Sequence, residues 1–347
     1  MDQVNLKRLA KELNLSISTI SRALRDSYEI SAETKAKVIA LARKLNYEPN
    51  LYASSLRQQK SKTIAVVIPE IANNFFALAI NGIEAIAQKK GYHVLIYLTH
   101  EDFQKEVSIS RHLFNGRVDG ILMSVSTDTQ DVSHIEELIQ RNIPVVFFDR
   151  ACESIKTAKI STDDYKISYD ATTHLIKQGA KKIAYLSISE NLSIGKSRML
   201  GYSDALMANG FRNEDNLVIN CNNNSEDNYS IIRALLASDD RPDALFASVE
   251  RLAITSYYVC NELMLDIPAD VKIVSFSNLE TAPLLDPSLT CIVQPAFNIG
   301  KAAAEVLFKA LEKPGIDLLS ESLVITSEII EGRSTAKQIK KKFAGYI

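Results

Sequence analysis

From residue 63 onward, short apolar runs alternate with longer segments in which apolar residues recur every three or four positions. Continuous apolar runs are typical of strands buried in a parallel sheet, whereas the longer period is typical of amphipathic helices. The predicted strands are TIAVVIP, HVLIYLT, DGILMSV and PVVFFD, then a second series that begins with KISTD and continues with KKIAYLSI, NLVIN, DALFAS and VKIVSF. The pattern predicts an α/β fold with doubly wound parallel sheets, and about ten strands suit two lobes better than one sheet.

The intervening helices are predicted over residues 75–90, 103–115, 132–142, 165–178, 195–209, 226–238 and 250–264. The stretch 287–295 is predicted to return to the first lobe as a strand with helix 297–312 beside it, and strand 321–330 to close the second lobe. The body would then span residues 63–347. Its first lobe comprises about 63–160 and 288–318, and its second lobe about 161–287 and 319–335.

Residues 1–46 follow a helical period and lack strand signals, and the predicted N-terminal domain spans residues 1–48. The apolar residues of the first helix share one face: Leu6, Leu9, Ala10 and Leu13. Ser16 opens a second short helix, and Ser31 is a favourable N-cap for a third. Two short helices joined by a tight turn and followed by a third helix predict a helix-turn-helix domain.

Residues 49–62 form a separate segment. Pro49 ends the third helix, because a proline disfavours helical geometry at the residue before it. Asn50 can cap a further helix, NLYASSLRQ, of only about two turns, and a helix this short is marginal alone in water. The polar stretch QQKSKT that follows is interpreted as a linker.

The net charge of −2 conceals an uneven distribution. Residues 1–62 contain twelve Lys and Arg but only six Asp and Glu, so the N-terminal end carries +6 and the remainder about −8. A basic end on an acidic body is typical of a DNA-binding domain. The solvated face of an ordinary helical domain would explain the charge equally well.

The chain carries no motif of a common catalytic or cofactor site. Its twelve glycines contain no GxG pair, and GxxxxGK[ST], HExxH and GxSxG are missing as well. The five histidines lack metal-ligand spacing, and the adjacent Asp163 and Asp164 are interpreted as a helix cap. We therefore expect a protein that is not an enzyme and that uses neither a cofactor nor a metal.

The four cysteines lie at positions 152, 221, 260 and 291, too far apart for a metal or redox motif, and are interpreted as buried free thiols of a reducing compartment. The N-terminus lacks the apolar segment of a signal peptide, and the longest apolar runs have the length of strands. We therefore expect a cytoplasmic protein.

The stretch VNLKRLAKELNLSISTISRALRDSYEISAETKAKVIALARKLNYEPNLYASSLR, residues 4–57, resembles the headpiece of the LacI/GalR family of bacterial transcriptional repressors. The strongest matches are LKRLAKEL, LSISTISRAL, ISAETKAKV, LNYEPN and ASSLR. The body is similar to the family at IPEIANNFFALAINGIE, DGILM, PVVFFDR, LTCIVQP and the RxxGY of residues 198–202. A helix-turn-helix followed at a fixed distance by YxPN and AxSL is specific, and the resemblance covers nearly the whole chain.

The resemblance implies that the second helix enters the DNA major groove, with Ile17, Ser18 and Arg22 at the base-reading positions. Arg22 can make a bidentate contact with guanine, and Ile17 only an apolar contact, for example with a thymine methyl. The hydroxyls suited to phosphate contacts are those of Ser16, Thr19 and Ser21.

The resemblance also implies that residues 50–57 form a hinge helix that folds when two copies meet on DNA. Leu56 matches the wedge that enters the minor groove and kinks the duplex; without the resemblance it would be a residue packed against the body. Ala53 would let the hinge backbone lie close to the groove, and Asn50 completes the predicted contacts. The implied partners are a second copy of the chain and a pseudopalindromic operator, so the protein would be nucleoid-associated when bound to DNA.

The implied body resembles a periplasmic sugar-binding protein, with a small-molecule effector between its two lobes. The aligned cleft residues are Asn73, Phe75, Phe76, Asp149, Arg198 and Glu250. The two phenylalanines are expected either to stack on the effector or to pack in the core. Arg198 together with Glu250 can hold hydroxyls through charge-assisted hydrogen bonds; the alternative for Arg198 is a surface salt bridge.

Several positions depart from the family pattern. Glu250 stands where the family usually has Asp, Asn74 where it usually has Pro, and Asn223 where some members carry a stacking aromatic. Residues 275–278, Ser-Phe-Ser-Asn, replace a glycine, an aromatic and an Asp, so that a cleft carboxylate is lost. The expected effector is a sugar, a sugar phosphate or a related metabolite, and either induction or co-repression is compatible with the sequence.

The function that the resemblance implies is that of a sequence-specific repressor of carbohydrate or related catabolic genes. The effector would change the arrangement of the lobes and thereby the order of the hinge helices. Three alternatives use the same body fold: a solute-binding protein, which would need an export signal; an α/β enzyme with an added DNA-binding domain; and a regulator controlled by a protein partner.

Overall fold

The computed structural model describes residues 5–24, 26–45, 47, 61–114, 117–188, 192–212 and 215–336. The chain divides into two compact units, Met1–Ser61 and Lys62–Ile347.

The first unit contains three helices: α1 (Leu6–Leu13), α2 (Ile17–Leu24) and α3 (Ala32–Lys44). The side chain of Ser31 accepts a hydrogen bond from the backbone N–H of Thr34 and so caps α3, as predicted. Asn14 ends α1 in the left-handed conformation, which Asn tolerates because its side chain is short and polar. The three helices enclose a small core of Leu9, Ala10, Ile20, Ala23, Val38 and Ala42.

The second unit contains two six-stranded sheets. The first sheet has the order β11-β5-β4-β3-β1-β2 and consists of β1 (Thr63–Ile68), β2 (His93–Leu98), β3 (Gly120–Met123), β4 (Val145–Phe148), β5 (Lys159–Thr162) and β11 (Leu323–Ile325). The second has the order β12-β10-β9-β8-β6-β7 and consists of β6 (Ile183–Ser187), β7 (Leu217–Asn220), β8 (Ala244–Ala247), β9 (Lys272–Phe276), β10 (Thr290–Val293) and β12 (Glu328–Ile330). All pairs are parallel except β10 with β12, which confirms the predicted fold class.

Eight helices of the second unit lie in the described part of the chain: α4 (Asn74–Lys89), α5 (Phe103–Leu113), α6 (Ser133–Gln140), α7 (Asp164–Lys177), α8 (Ser193–Ala208), α9 (Ser225–Ala237), α10 (Glu250–Glu262) and α11 (Ala296–Glu312). Single 3-10 turns occur at Ala282–Leu284 and Leu318–Glu321. Helices α4 and α11 pack in close contact on the first lobe. A Cβ on Gly300 would lie 1.9 Å from the carbonyl oxygen of Ala79, so only glycine allows this approach.

Three strand assignments made from the sequence were wrong. The stretch 287–295 does not return to the first lobe, because β10 pairs with β9 of the second sheet. KISTD does not begin the second lobe, because β5 pairs with β4 of the first sheet. The stretch 321–330 is two strands, of which β11 joins the first sheet and β12 the second. An apolar run predicts a strand, but the strand's pairing partner depends on where the chain crosses between the lobes. The sequence of the run does not specify that crossing.

All four cysteines are free thiols; Cys260 and Cys291 are buried, whereas Cys152 and Cys221 are only partly so. Burial raises the pKa of the Cys260 thiol to about 12. Within the described ranges, no helix is long and apolar enough to span a membrane, and no group of three or more His, Cys, Asp or Glu side chains could hold a metal ion.

Candidate functional site

One face of α2 is open to solvent. Ile20 and Ala23 of this helix are buried in the core of the first unit, whereas Ile17, Ser18 and Arg22 are exposed. The helical period brings these exposed positions to one side, since residues four apart are neighbours on a helix surface. The three predicted base-reading residues therefore share an accessible surface.

The hydroxyl groups at the start of α2 contact one another. Ser16 Oγ accepts a hydrogen bond from the backbone N–H of Thr19 at 3.0 Å, which caps the helix. It also lies 2.7 Å from Ser18 Oγ and 2.8 Å from Thr19 Oγ1. Ser21 is half-buried one turn further on. This hydroxyl cluster lies beside the exposed face and offers donors that could bind phosphate oxygens.

Arg22 has a partner to which no sequence pattern pointed. Its Nη1 lies 2.8 Å from Oε2 of Glu29, a residue of the turn between α2 and α3. Both side chains are about half exposed. The predicted guanine reader is thus held by a carboxylate on the same surface.

Three predicted DNA contacts, Asn50, Ala53 and Leu56, lie outside the described residues. Their roles in a hinge helix stay predictions.

In the second unit, all six predicted effector residues line one cavity between the two lobes. Asn73, Phe75 and Phe76 lie at the start of α4, and Asp149 directly follows β4. From the second lobe, α8 contributes Arg198 and the first turn of α10 contributes Glu250. Residues far apart in the chain meet here because the carboxyl ends of the parallel strands face the same crevice.

Arg198 is the central cation of this cavity, and its side chain is only 6% exposed. Its Nε donates to Oδ1 of Asp164 at 2.6 Å, and its Nη1 donates to the carbonyl oxygen of Ser248 at 3.0 Å. The guanidinium lies 3.7 Å from the ring centroid of Phe276, a cation–π contact. Burial by itself lowers the pKa of Arg198, but the carboxylates of Asp164 and Asp149 outweigh burial and raise it.

Two sequence interpretations are corrected by this geometry. Arg198 does not form a surface salt bridge, because it lies inside the protein and its ion-pair partner is the buried Asp164. Asp163 and Asp164 do not cap α7 with their side chains. Asp163 instead accepts from the backbone N–H of Ser327 at 2.7 Å, and Asp164 faces the cavity side of its helix. Adjacent acids at a strand end have the same sequence signature in both roles, so the pattern could not separate them.

Asp149 is a buried carboxylate in a left-handed backbone conformation, with φ of 60°. Burial raises its pKa to about 6, and the nearby Asp164 adds to the rise, whereas Arg150 and Arg198 oppose it. Arg150 lies too far away for a direct hydrogen bond, at 3.9 Å from Asp149 Oδ2. The carboxylate therefore forms a long ion pair with Arg150 and accepts a hydrogen bond from the side chain of Gln294.

Arg150 is itself paired within the first lobe. Its Nη1 donates to both carboxylate oxygens of Glu101, at 2.8 and 3.0 Å. Burial tends to raise the pKa of Glu101, but Arg150 and Thr127 lower it. Two atoms of cavity-lining residues, Arg150 Nε and Ser248 Oγ, are buried without a hydrogen-bond partner among the described residues. Such groups can be satisfied by a ligand that reaches them.

Apart from Asn74, which begins α4 of the first lobe, the positions that depart from the family pattern lie in the second lobe. Glu250 Oε2 accepts a hydrogen bond from Ser277 Oγ at 2.6 Å. Asn278 Nδ2 donates to the carbonyl oxygen of Gln294 at 2.7 Å. The longer Glu250 therefore contacts the serine of the segment that lacks the usual Asp. Asn223 contacts Arg251.

The aromatic residues divide between core and cavity. Phe76 is 1% exposed and packs edge-on against Phe75 and Phe148, so most of its ring belongs to the core of the first lobe. The ring that contacts the central cation is Phe276. Further lining residues not predicted from the sequence are Arg150, Ile194, Ser248, Val249, Phe276, Ser277, Asn278 and Gln294. Six of these eight lie one or two residues after a strand, which is the signal that could have identified them.

Both units match models of known protein families. The family model of bacterial regulatory proteins of the lacI family matches residues 5–50. The model of periplasmic binding proteins and the sugar binding domain of the LacI family matches residues 61–330. The chain therefore belongs to the LacI family, whose members are DNA-binding transcriptional regulators and not enzymes.

Catabolite control protein A of Priestia megaterium is 28% identical over 336 residues, which cover 96% of this chain and 99% of the relative. The structure of the lac repressor dimer bound to operator and the anti-inducer ONPF matches 96% of this chain and 100% of that chain, with a TM-score of 0.84 and 20% identity. A LacI family regulator from Enterococcus faecium with bound ribose matches 80% and 99%, with a TM-score of 0.70 and 24% identity. At these identities the two structures show a shared fold.

Proposed function

We propose that this regulator binds a pseudopalindromic operator as a homodimer and controls carbohydrate or related catabolic genes in response to a small effector in the inter-lobe cavity. The observation that carries the proposal is the convergence of six predicted side chains from both lobes on one cavity. The lac repressor structure, a dimer on operator with an anti-inducer, supports this arrangement. The proposal includes a cytoplasmic location, association with the nucleoid when the protein is bound to DNA, and no catalytic activity.

The charges of the cavity favour an uncharged effector. Both cationic side chains are already neutralised, Arg150 by Glu101 and Arg198 by Asp164. Asp149 and Glu250 add two further carboxylates, so that two arginines face four carboxylates among the described residues of this region. Carboxylates accept hydrogen bonds from hydroxyls but repel phosphate. A neutral polyhydroxylated compound therefore fits better than a sugar phosphate, and the ribose-bound regulator of the same fold is in keeping with this class.

The proposed coupling uses the three chain segments that cross between the lobes, which follow β5, β10 and β11. A ligand that contacts both lobes changes their relative arrangement if it binds one arrangement more tightly than the other. Through that change it would alter the order of the hinge segment and hence the affinity for the operator.

A melting-temperature screen of neutral sugars against their phosphate esters tests the effector class. We expect a neutral sugar to raise the melting temperature of the full chain, because a ligand at about 100 times its Kd adds about 2.7 kcal/mol to the stability of the state that binds it. The phosphate ester of the same sugar serves as the matched control and should give a smaller shift. A larger shift with the ester, or regulation that responds only to a protein partner, would contradict the proposal.

Arg22→Ala tests the DNA-reading role. The parent chain is first used to select duplexes that it binds from a random-sequence library, which yields an operator sequence. We expect the variant to lose about 1–3 kcal/mol of discrimination at one base pair in each half-site, since a bidentate Arg contact reads guanine. Arg8→Ala removes an equal charge from α1, where Arg8 pairs with Glu12, and should weaken binding to all sequences alike. Intact preference in the Arg22 variant would refute the readout role.

A further inference from the structure

The turn between α2 and α3 is anchored at several points. The backbone N–H of Ser27 donates to the carbonyl oxygen of Arg22 at 3.1 Å, and that of Ile30 donates to Ser27 at 3.2 Å. Lys35 of α3 binds this turn as well, with its Nζ 2.6 Å from Oδ1 of Asp26. Glu29 therefore projects from a braced loop, and its contact with Arg22 at 2.8 Å follows from the shape of the turn.

The contact between Glu29 and Arg22 contributes little to folding. Side chains that are 56% and 45% exposed form a surface ion pair, and such pairs stabilise proteins weakly. An acid on a surface that faces DNA also opposes binding, because it repels phosphates. Among the described residues, three other exposed acids of this unit form ion pairs. Glu12 and Glu33 pair with residues one turn away on their own helices, and Asp26 pairs with Lys35 of α3, so none of these pairs involves a residue of α2.

We propose that Glu29 is a specificity-determining residue that orients Arg22 toward guanine and penalises every other base at that position. This inference rests on the proposed DNA-reading role of Arg22. A guanidinium carries five N–H donors in a planar fork. When Glu29 accepts from Nη1, the plane of the fork is set and enough donors remain for the O6 and N7 acceptors of guanine.

The carboxylate also acts against the wrong base. When the base opposite Arg22 is not guanine, the carboxylate of Glu29 still lies close to the acceptor atoms of that base and to the phosphates. The carboxylate repels both, and no Arg22–guanine contact compensates for this repulsion. Discrimination therefore comes partly from an unfavourable contact with competitors, which is a general route to specificity. Removing Glu29 should strengthen binding to unselected DNA more than binding to the operator.

The test compares Glu29→Ala and Glu29→Gln in the full chain, on the duplex selected by the parent and on duplexes altered at the Arg22 position. We expect Glu29→Ala to lower the preference for guanine by about 2- to 10-fold, the range for freeing one immobilised side chain. Its affinity for unselected DNA should rise. Glu29→Gln, which keeps an acceptor oxygen for Arg22 but loses the charge, should retain more of the preference than alanine does.

Glu33→Gln is the matched control, because it removes the same charge from an exposed pair with Lys37 on α3. It should change the affinity for all duplexes alike and leave the preference intact. Equal preference in the parent and Glu29→Ala, or the same loss in Glu33→Gln, would overturn the inference. If Arg22→Ala itself leaves the preference unchanged, the readout role fails and the inference falls with it; if only Glu29→Ala does so, the inference alone fails.

Discussion

Arg198→Met should lower the free energy of unfolding of the second unit by about 3–5 kcal/mol, the cost of breaking a buried ion pair from one side. The Asp164 carboxylate would remain 5% exposed without its cation. Methionine keeps much of the length of the arginine and can contact the ring of Phe276 through its sulfur, so the variant removes the charge and its hydrogen bonds while much of the packing is kept. Chemical unfolding monitored by circular dichroism would measure the change.

Two further variants make this measurement specific. Adding Asp164→Asn to Arg198→Met removes the stranded charge and should recover more than half of the lost stability. Arg233→Met breaks a surface ion pair, in which Arg233 Nε lies 2.8 Å from Glu262 Oε1 and the Arg233 side chain is 47% exposed, and should cost much less stability. A loss in Arg198→Met no larger than that of Arg233→Met would contradict the central role of this buried pair.

Asp149→Asn should stabilise the protein at pH 7 and abolish its response to the effector. The pKa of Asp149 is raised from 3.8 to about 6, which corresponds to about 3 kcal/mol spent in the folded state to keep the carboxylate ionised. Asparagine is neutral, has the same shape and tolerates the left-handed φ of 60° at this position. The expected combination of higher stability and lost response is common for residues kept for function.

The sign of the pH dependence follows from the raised pKa. Below about pH 3.8 the carboxyl group is protonated in both the folded and the unfolded chain, so parent and variant differ least. As the pH rises from there to about 6, the unfolded chain ionises first and the parent loses stability relative to Asp149→Asn. Unfolding free energies at pH 4 and pH 7 should therefore diverge by up to about 3 kcal/mol. Asp128→Asn, at an exposed position of the same lobe, should change stability little at either pH, and parallel curves for Asp149→Asn would contradict the expectation.

Much of the fold followed from local patterns. Apolar runs predicted the strands, and the Ser31 N-cap predicted the start of α3. Residues placed in the cleft by family resemblance line one cavity, because the carboxyl ends of parallel strands meet at the same crevice. The resemblance placed Arg198 in the cleft but did not identify its partner, Asp164, because the packing of two helices, and not a local pattern, brings these side chains together.

The charge of the basic N-terminal end alone is equally compatible with a DNA-binding domain and with the solvated face of a helical domain. The helix period, the caps and the family motifs of the sequence were enough to identify a DNA-binding domain there. These features are local, since propensity and hydrophobic period act over one or two turns of chain. Only the tertiary structure decided that β5 belongs to the first lobe and β10 to the second, that Asp164 neutralises Arg198, and that Glu29 holds Arg22. The pairings within the body join segments separated by long stretches of chain, and the contact of Glu29 depends on the shape of a braced turn. Tertiary packing determines which of these residues come into contact, and the sequence of one segment alone does not specify that packing.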